Sequence, residues 1–272
     1  MLSTAIIVFR EMLEAALIVG IVMAASRGAV GRGVAITSGA AGGVVGAGLV
    51  ALFAAEIANA MAGMGQEVFN AGVLLAAVAM LAWHSVWMKR HGRDMAREMT
   101  SVAHAVRSGG RPIRVLAVVV GVAILREGSE TVLFLYGIAA STAGGWRDML
   151  AGGGLGLLGG AVIGTLLYRG LLRIPPRHLF HVTGALILLM AAGMASQAAA
   201  FLVAADILPP LGAELWDSTA ILDPASILGR TLHALVGYDA RPAGVQLLFF
   251  AATLLAITAA SRQQDGRAAS GG

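Results

Sequence analysis

The chain has 272 residues, of which 58% are hydrophobic and only 12% charged, and its mean hydropathy is +0.82. Because soluble domains carry about 25% charged residues, this composition excludes an ordinary soluble protein and predicts an all-α polytopic membrane protein. Cysteine is absent, which excludes disulfides, thiolate metal sites and iron–sulfur clusters, and a formal net charge of +4 gives no reason to expect a nucleic-acid partner.

Seven apolar runs are long enough to cross a bilayer, which takes about 20 helical residues. In chain order they cover residues 2–25, 34–55, 68–88, 115–140, 150–168, 179–205 and 243–260. The first run lacks a basic region before it and carries charges in its middle, so we interpret it as a mature span and not as a cleaved signal. The second and fifth runs are rich in glycine, which favours close packing of helices in lipid.

The charged residues of the loops are distributed unevenly between the two sides. Fourteen lysines and arginines follow runs 1, 3, 5 and 7, and three lie in the opposite segments, which predicts an outer N-terminus and a cytoplasmic C-terminus. Eight acidic residues fall on the outer side and three on the inner side. Such a face attracts cations, although acids also accumulate where bases are excluded. We take Glu56, Glu67, Asp217 and Asp223 as candidate outer-face or pathway residues.

The motif R-E-x-x-E occurs in the first run and, 116 residues later, in the fourth run. Together with the two glycine-rich runs, this spacing predicts an internal repeat of three spans. The expected organisation is repeat 1 at residues 1–88, a basic cytoplasmic loop at 89–114, repeat 2 at 115–205, an outer loop at 206–242, a seventh span at 243–261 and a disordered tail at 262–272. Because each copy has an odd number of spans, the copies are inverted across the membrane, an arrangement typical of transporters with a substrate site at the repeat interface.

Each motif places its arginine and two glutamates on one helical stripe, about 100° wide. Six such charges at the bilayer centre would cost on the order of 15–20 kcal/mol if unpaired, so the two stripes are expected to face each other or a wet cavity. Four carboxylates would then converge, from Glu11, Glu14, Glu127 and Glu130, with Arg10 and Arg126 as supporting charge partners. With all six groups ionised the formal charge is −2, and the donors are hard oxygens that suit a hard multivalent cation.

Three other interpretations of the doubled motif stay open at this point. Paired salt bridges alone would hold spans 1 and 4 together without transport. A permease for Mn²⁺, Pb²⁺ or protons would use the same carboxylates. An intramembrane di-iron carboxylate enzyme usually pairs glutamates with E-x-x-H motifs, and neither motif here has a histidine at that spacing. We therefore expect no enzymatic activity.

The paired motifs in the first and fourth of seven spans resemble those of the high-affinity iron permease family of fungi and bacteria. Residues 215–242 (LWDSTAILDPASILGRTLHALVGYDARP) are similar to its bacterial branch, whereas the D-A-S-E type motif of fungal members is absent. The resemblance implies a multi-pass protein of the bacterial inner membrane that imports Fe³⁺ or Fe²⁺, with the four glutamates as metal ligands. It also implies periplasmic iron-handling or iron-oxidising proteins as partners and no permanently bound cofactor. Some relatives are associated with lead uptake, so the motif alone does not fix the ion.

Three further features lead to expectations. Asp223 followed by Pro224 predicts the start of a short interfacial helix that ends at Gly237. His84 and Gln197, in spans 3 and 6, are candidate ligands on the exit path, although a lone intramembrane histidine is more often a hydrogen-bonded packing residue. The basic segment at 89–114 suits a helix that faces water or anionic lipid.

Overall fold

The computed structural model of the protein describes residues 1–61, 65–141, 146–170 and 176–270. Within these residues every regular element is an α-helix, which confirms the all-α part of the predicted fold class. The helices are α1 (Leu2–Ala25), α2 (Arg32–Met61), α3 (Gln66–Arg107), α4 (Arg114–Ser141), α5 (Trp146–Tyr168), α6 (Pro176–Ala204), α7 (Ile227–Val236) and α8 (Gly244–Ser270).

Five stretches of these helices are long and apolar enough to cross a membrane. They are Arg32–Glu56, Gln66–Trp87, Trp146–Tyr168, Val182–Ala204 and Gly244–Gln263. Helices α1 and α4 have 24 and 28 residues, which also suffices in length, but each carries an arginine and two glutamates in its middle. The stretch within α6 is the most buried of the five, so α6 lies near the centre of the bundle.

The two motif helices pack against glycine-rich partners. Helix α1 packs along α5, α2 packs along α4, and α1 also contacts α4 directly. A Cβ atom added to Gly156 of α5 would lie 2.5 Å from the Ala5 carbonyl oxygen of α1, and one added to Gly43 of α2 would lie 2.6 Å from the Gly121 carbonyl oxygen of α4. Only glycine allows these two pairs of backbones to approach so closely.

Two apolar clusters lie at different heights of the bundle. In one, Ile7 from the start of α1 packs with Phe134 from the second half of α4. In the other, Val22 from the end of α1 packs with Leu116 from the start of α4. Helices α1 and α4 therefore run antiparallel, and the charged middle of each helix lies between the two clusters.

The basic segment at 89–114, predicted as a cytoplasmic loop that suits a helix, is helical as far as Arg107. Helix α3 is 42 residues long and continues through Arg107, so only the residues after it connect α3 to α4. Hydropathy marks where a span leaves the lipid, but the Ala, Arg, Met and Glu residues of this segment favour a continued helix. Ala103 and Val106 are buried in the second apolar cluster, so this helix is not solvated all round.

The connection between α6 and α8 contains the predicted short helix with a different start. Helix α7 begins at Ile227 because the Ser226 hydroxyl, as N-cap, accepts a hydrogen bond from the Gly229 amide at 2.9 Å. The Asp223 carboxylate, the predicted N-cap, instead accepts from the Ala225 amide. Gly237 ends the helix as predicted, in the left-handed conformation at φ 69°. At the other end of the chain, α8 covers residues 262–270 of the predicted disordered tail as helix, since no proline interrupts it before Ser270.

Candidate cation site

The two R-E-x-x-E motifs meet inside the bundle. Together with one histidine from α3 they form a group that we call the charged cluster, consisting of Arg10, Glu11, Glu14, His84, Arg126, Glu127 and Glu130. Glu11, Glu14 and Glu127 are all buried, with at most 4% of their surface exposed. The side chain of Glu130 retains 15% exposure. The convergence of the four carboxylates that the motif spacing predicts is therefore present.

Each arginine pairs with glutamates of its own motif. Arg10 donates from Nη1 to Glu11 Oε1 and from Nη2 to Glu14 Oε1, both at 2.9 Å. Arg126 donates from Nε to Glu130 Oε1 at 3.0 Å. These ion pairs compensate only part of the negative charge, because four glutamates meet two arginines.

The carboxylates also approach one another across the helices. Glu11, Glu127 and Glu130 each offer one oxygen within 4.8 Å of the others, which joins α1 to α4. Glu11 and Glu14 make a second group of this kind with a ring nitrogen of His84, which joins α1 to α3. Glu11 belongs to both groups. The charged cluster thus offers two overlapping sets of three ligand atoms.

His84 lies between the two motifs, and its expected place on an exit path stays a prediction. Its Nε2 atom is 3.7 Å from Glu14 Oε2, and its Nδ1 atom contacts Glu130 Oε2. Only 2% of His84 is exposed. Sequence reasoning singled out His84 but placed it at the edge of the site, because a lone histidine in a span carries no signal for which neighbour it faces.

Trp87 contacts the charged cluster, although this contact was not predicted from the sequence. The Arg126 guanidinium carbon lies 4.1 Å from the centroid of the Trp87 ring, a cation–π contact. Trp87 lies one helical turn after His84 on α3, and Arg126 lies one turn before Glu130 on α4. The sequence feature that could have indicated this contact is the i, i+3 spacing, which places His84 and Trp87 on the same face of α3.

Several buried carboxylate oxygens in the charged cluster accept no hydrogen bond from the described residues. They are Glu11 Oε2, Glu14 Oε2, both oxygens of Glu127, and Glu130 Oε2, which contacts the His84 ring. A buried carboxylate without partners is costly, so a cation between these oxygens would stabilise the arrangement. Their chemistry fits hard and borderline metal ions.

The candidate outer-face residues do not join the charged cluster. The glutamates are exposed at helix ends, Glu56 on α2 and Glu67 in the first turn of α3. Asp217 is exposed and forms an ion pair with Arg241 at 3.0 Å. Hydrogen bonds from the Thr219 hydroxyl and amide, and then the charge of Arg241, hold the pKa of Asp217 below its usual value. Asp223 is exposed and caps the turn before α7.

Gln197 is buried in α6, and its side-chain amide contacts α7. Its Nε2 atom donates to the His233 carbonyl oxygen at 3.3 Å, while its Oε1 atom accepts no hydrogen bond from the described residues. The structure therefore connects Gln197 to the segment between α6 and α8 through α7, and its candidate role as a ligand stays a prediction.

Comparison with known proteins gives consistent results over nearly the whole chain. The model of the iron permease FTR1 family matches residues 1–260. The ferrous iron permease EfeU of Escherichia coli O6:H1 is 30% identical over 242 residues, which cover 87% of this chain and 86% of that protein. The ferrous iron permease EfeU of Shigella flexneri is 31% identical over 178 residues, which cover 65% of this chain and 75% of that protein. No solved structure matches.

Proposed function

Since this chain belongs to the iron permease FTR1 family, we propose that it imports iron across the bacterial inner membrane through the charged cluster. The observation that carries the proposal is the convergence of four buried glutamates from two antiparallel helices, with several of their oxygens free of hydrogen bonds. A structural salt bridge needs no such surplus of carboxylate. A transported cation does.

The four glutamates act as the ligands of the ion, and the two arginines offset part of their negative charge when the ion is absent. The formal charge of −2 for these six groups would be neutralised by Fe²⁺ and would become +1 with Fe³⁺. The relatives are named as ferrous iron permeases, which favours Fe²⁺. Inward movement of either ion is driven by the membrane potential, at about 2.3 kcal/mol per charge and 100 mV.

The proposed transporter consists of seven spans, in which α1–α3 and α4–α6 form an inverted repeat followed by α8. Two contacts support this arrangement. The first helix of each half packs on the second helix of the other half, since α1 packs on α5 and α4 packs on α2. A twofold relation between the halves requires this reciprocal packing. The antiparallel course of α1 and α4 also fits inverted copies. The ion site then lies at the interface of the two repeats.

A permease for another divalent cation is the alternative that the ligands allow, since carboxylates also bind Mn²⁺ and Pb²⁺. For this reason the test of function includes both ions as competitors.

The test is radio-iron uptake by a cell that lacks its own iron transporters. The variants Glu14→Gln and Glu130→Gln are compared with Glu98→Gln, a matched control at an exposed glutamate of α3 outside the charged cluster. At equal membrane abundance we expect uptake to fall to background in the first two variants and to stay at the wild-type level in the third. Uptake with and without a reductant identifies the valence.

Two outcomes contradict the proposal. Wild-type uptake in either cluster variant would mean that the two motifs do not serve one pathway. Stronger accumulation of Mn²⁺ or Pb²⁺ than of iron by the wild-type protein would replace iron as the cargo.

A further inference from the structure

We propose that His84 is itself a ligand of the transported ion and makes the charged cluster selective for transition metals. This inference rests on the proposed function and adds a nitrogen donor, from a third helix, to the four glutamates. The two motifs contain only oxygen ligands, so the histidine changes which ions the site prefers.

The first step is the geometry of the two ligand groups. Glu11, Glu14 and His84 form a mixed nitrogen–oxygen group, and Glu11, Glu127 and Glu130 form an oxygen-only group. Because Glu11 belongs to both, an ion can pass from one group to the other without leaving Glu11. The two groups are thus neighbouring positions of one path.

The second step concerns the surroundings of the histidine. A buried histidine with a packing role normally bonds to a backbone carbonyl or a hydroxyl. The described residues provide no such partner for either ring nitrogen of His84, and both nitrogens face carboxylates of the two motifs. Leu81, one turn earlier on α3, is buried in the first apolar cluster, so the backbone that carries the imidazole is held by packing.

The third step is ligand chemistry. Carboxylates bind Mg²⁺ and Ca²⁺ as readily as other hard cations, and these ions are abundant competitors. An imidazole suits iron and other transition metals and is a poor ligand for Mg²⁺ and Ca²⁺. A position with one nitrogen and two carboxylates therefore discriminates against the competitors that the oxygen-only group accepts.

The experiment uses Mn²⁺ as a spin probe on the full-length protein in lipid nanodiscs. Electron spin echo envelope modulation detects a nitrogen bound directly to Mn²⁺, and labelling with ¹⁵N-histidine identifies it as imidazole. We expect a nitrogen coupling in the wild-type protein and none in His84→Gln with Mn²⁺ still bound. The coupling should persist in His104→Gln, a matched control at an exposed histidine of the same helix.

A second readout is selectivity in equilibrium binding. Loss of the nitrogen ligand should lower the affinity for Mn²⁺ relative to Ca²⁺ by about 10-fold or more, because removal of a residue that merely orients a metal ligand already costs about 10- to 100-fold in metal affinity. His104→Gln should leave this ratio unchanged. If His84→Gln does not reach the membrane, a variant that keeps His84 as its only histidine gives the same answer through its nitrogen coupling.

The outcomes separate this inference from the proposed function. Mn²⁺ binding that is lost in Glu14→Gln but shows no nitrogen coupling in the wild-type protein overturns the role of His84 and leaves the cluster as the ion site. A coupling that persists in His84→Gln also overturns it. Mn²⁺ binding that is unchanged in both Glu14→Gln and Glu127→Gln contradicts the proposed function itself.

Discussion

The two arginines of the charged cluster have different surroundings although they occupy the same position of the repeated motif. Arg10 is buried and donates to two carboxylates, whereas Arg126 donates to one and stacks on Trp87 with 31% of its side chain exposed. Removal of a partner from a buried ion pair leaves an uncompensated charge, and water relieves that penalty where the group is partly exposed. The charged cluster therefore has a buried half on α1 and a more solvent-accessible half on α4.

This difference leads to a prediction on stability. Arg10→Gln should lower the free energy of unfolding by about 3–5 kcal/mol, because two buried carboxylates lose their cation. Arg126→Gln should lower the free energy of unfolding by clearly less, because Arg126 is partly exposed. Thermal unfolding of both purified variants in the same detergent measures the order of the two effects.

The control for this prediction is the double variant with Arg10→Gln and Glu11→Gln, which removes one of the two orphaned charges. It should recover part of the loss. An Arg126→Gln protein that is less stable than Arg10→Gln would contradict the proposed asymmetry.

Much of the charged cluster was predictable at the level of single residues, because helix periodicity alone places each arginine and its glutamates on one stripe. The cost of charge in lipid then requires the two stripes to meet. The positions of His84 and Trp87 were not predictable in the same way. They depend on how α3 is rotated against α1 and α4, and no periodic pattern in a uniformly apolar span encodes that rotation.

At the scale of the helices, the glycines of α2 and α5 have two kinds of environment. Gly43 and Gly156 face a neighbouring backbone, and an added Cβ atom would lie within 2.6 Å of it. Gly42 and Gly154 are exposed, and an added Cβ atom would meet nothing within 4 Å. Only one face of each glycine-rich helix therefore requires glycine.

This contrast predicts opposite effects of one substitution. Gly43→Ala and Gly156→Ala should destabilise the protein by about 1–3 kcal/mol, because the methyl group must push two backbones apart. Gly42→Ala and Gly154→Ala should be neutral or stabilise by up to about 1 kcal/mol through helix propensity. Membrane abundance and thermal unfolding of the four variants test this prediction. Equal effects of the two substitutions in one helix, Gly42→Ala and Gly43→Ala in α2 or Gly154→Ala and Gly156→Ala in α5, would contradict the packing described.

Hydropathy located the long helices well but not their extensions. A span prediction ends where charge begins, whereas α3 continues as a helix through the basic residues to Arg107. The start of α7 was misplaced for a local reason, since Asp223 and Ser226 are both good caps. The structure uses the serine because the carboxylate is engaged in the preceding turn.

At the scale of the whole molecule, the orientation in the membrane is a prediction that the chain is well suited to test. The protein has no cysteine, so a single introduced cysteine reports without background. Val30, between α1 and α2, is 95% exposed, and Ile221, in the connection before α7, is 90% exposed. The first is predicted to be cytoplasmic and the second to lie outside.

A membrane-impermeant maleimide should label Ile221→Cys in cells whose inner membrane is intact. Val30→Cys should react only after that membrane is permeabilised. Because both side chains are accessible in the fold, a failure to react reflects the membrane and not burial. Labelling of Val30→Cys in intact cells, with Ile221→Cys protected, would reverse the proposed orientation.

The glycine face of α5 has a consequence for what fixes α1 along its own axis. Its buried glycines recur at every fourth position, at Gly152, Gly156, Gly160 and Gly164. A shift of α1 by about one turn, close to 6 Å, would thus offer each side chain an equivalent groove. The packing of α1 against α5 therefore does not by itself determine the position of α1 along its axis. The contacts of Glu11 and Glu14 with α3 and α4 are not repeated along α1, so the proposed ligands of the ion also set the helix register.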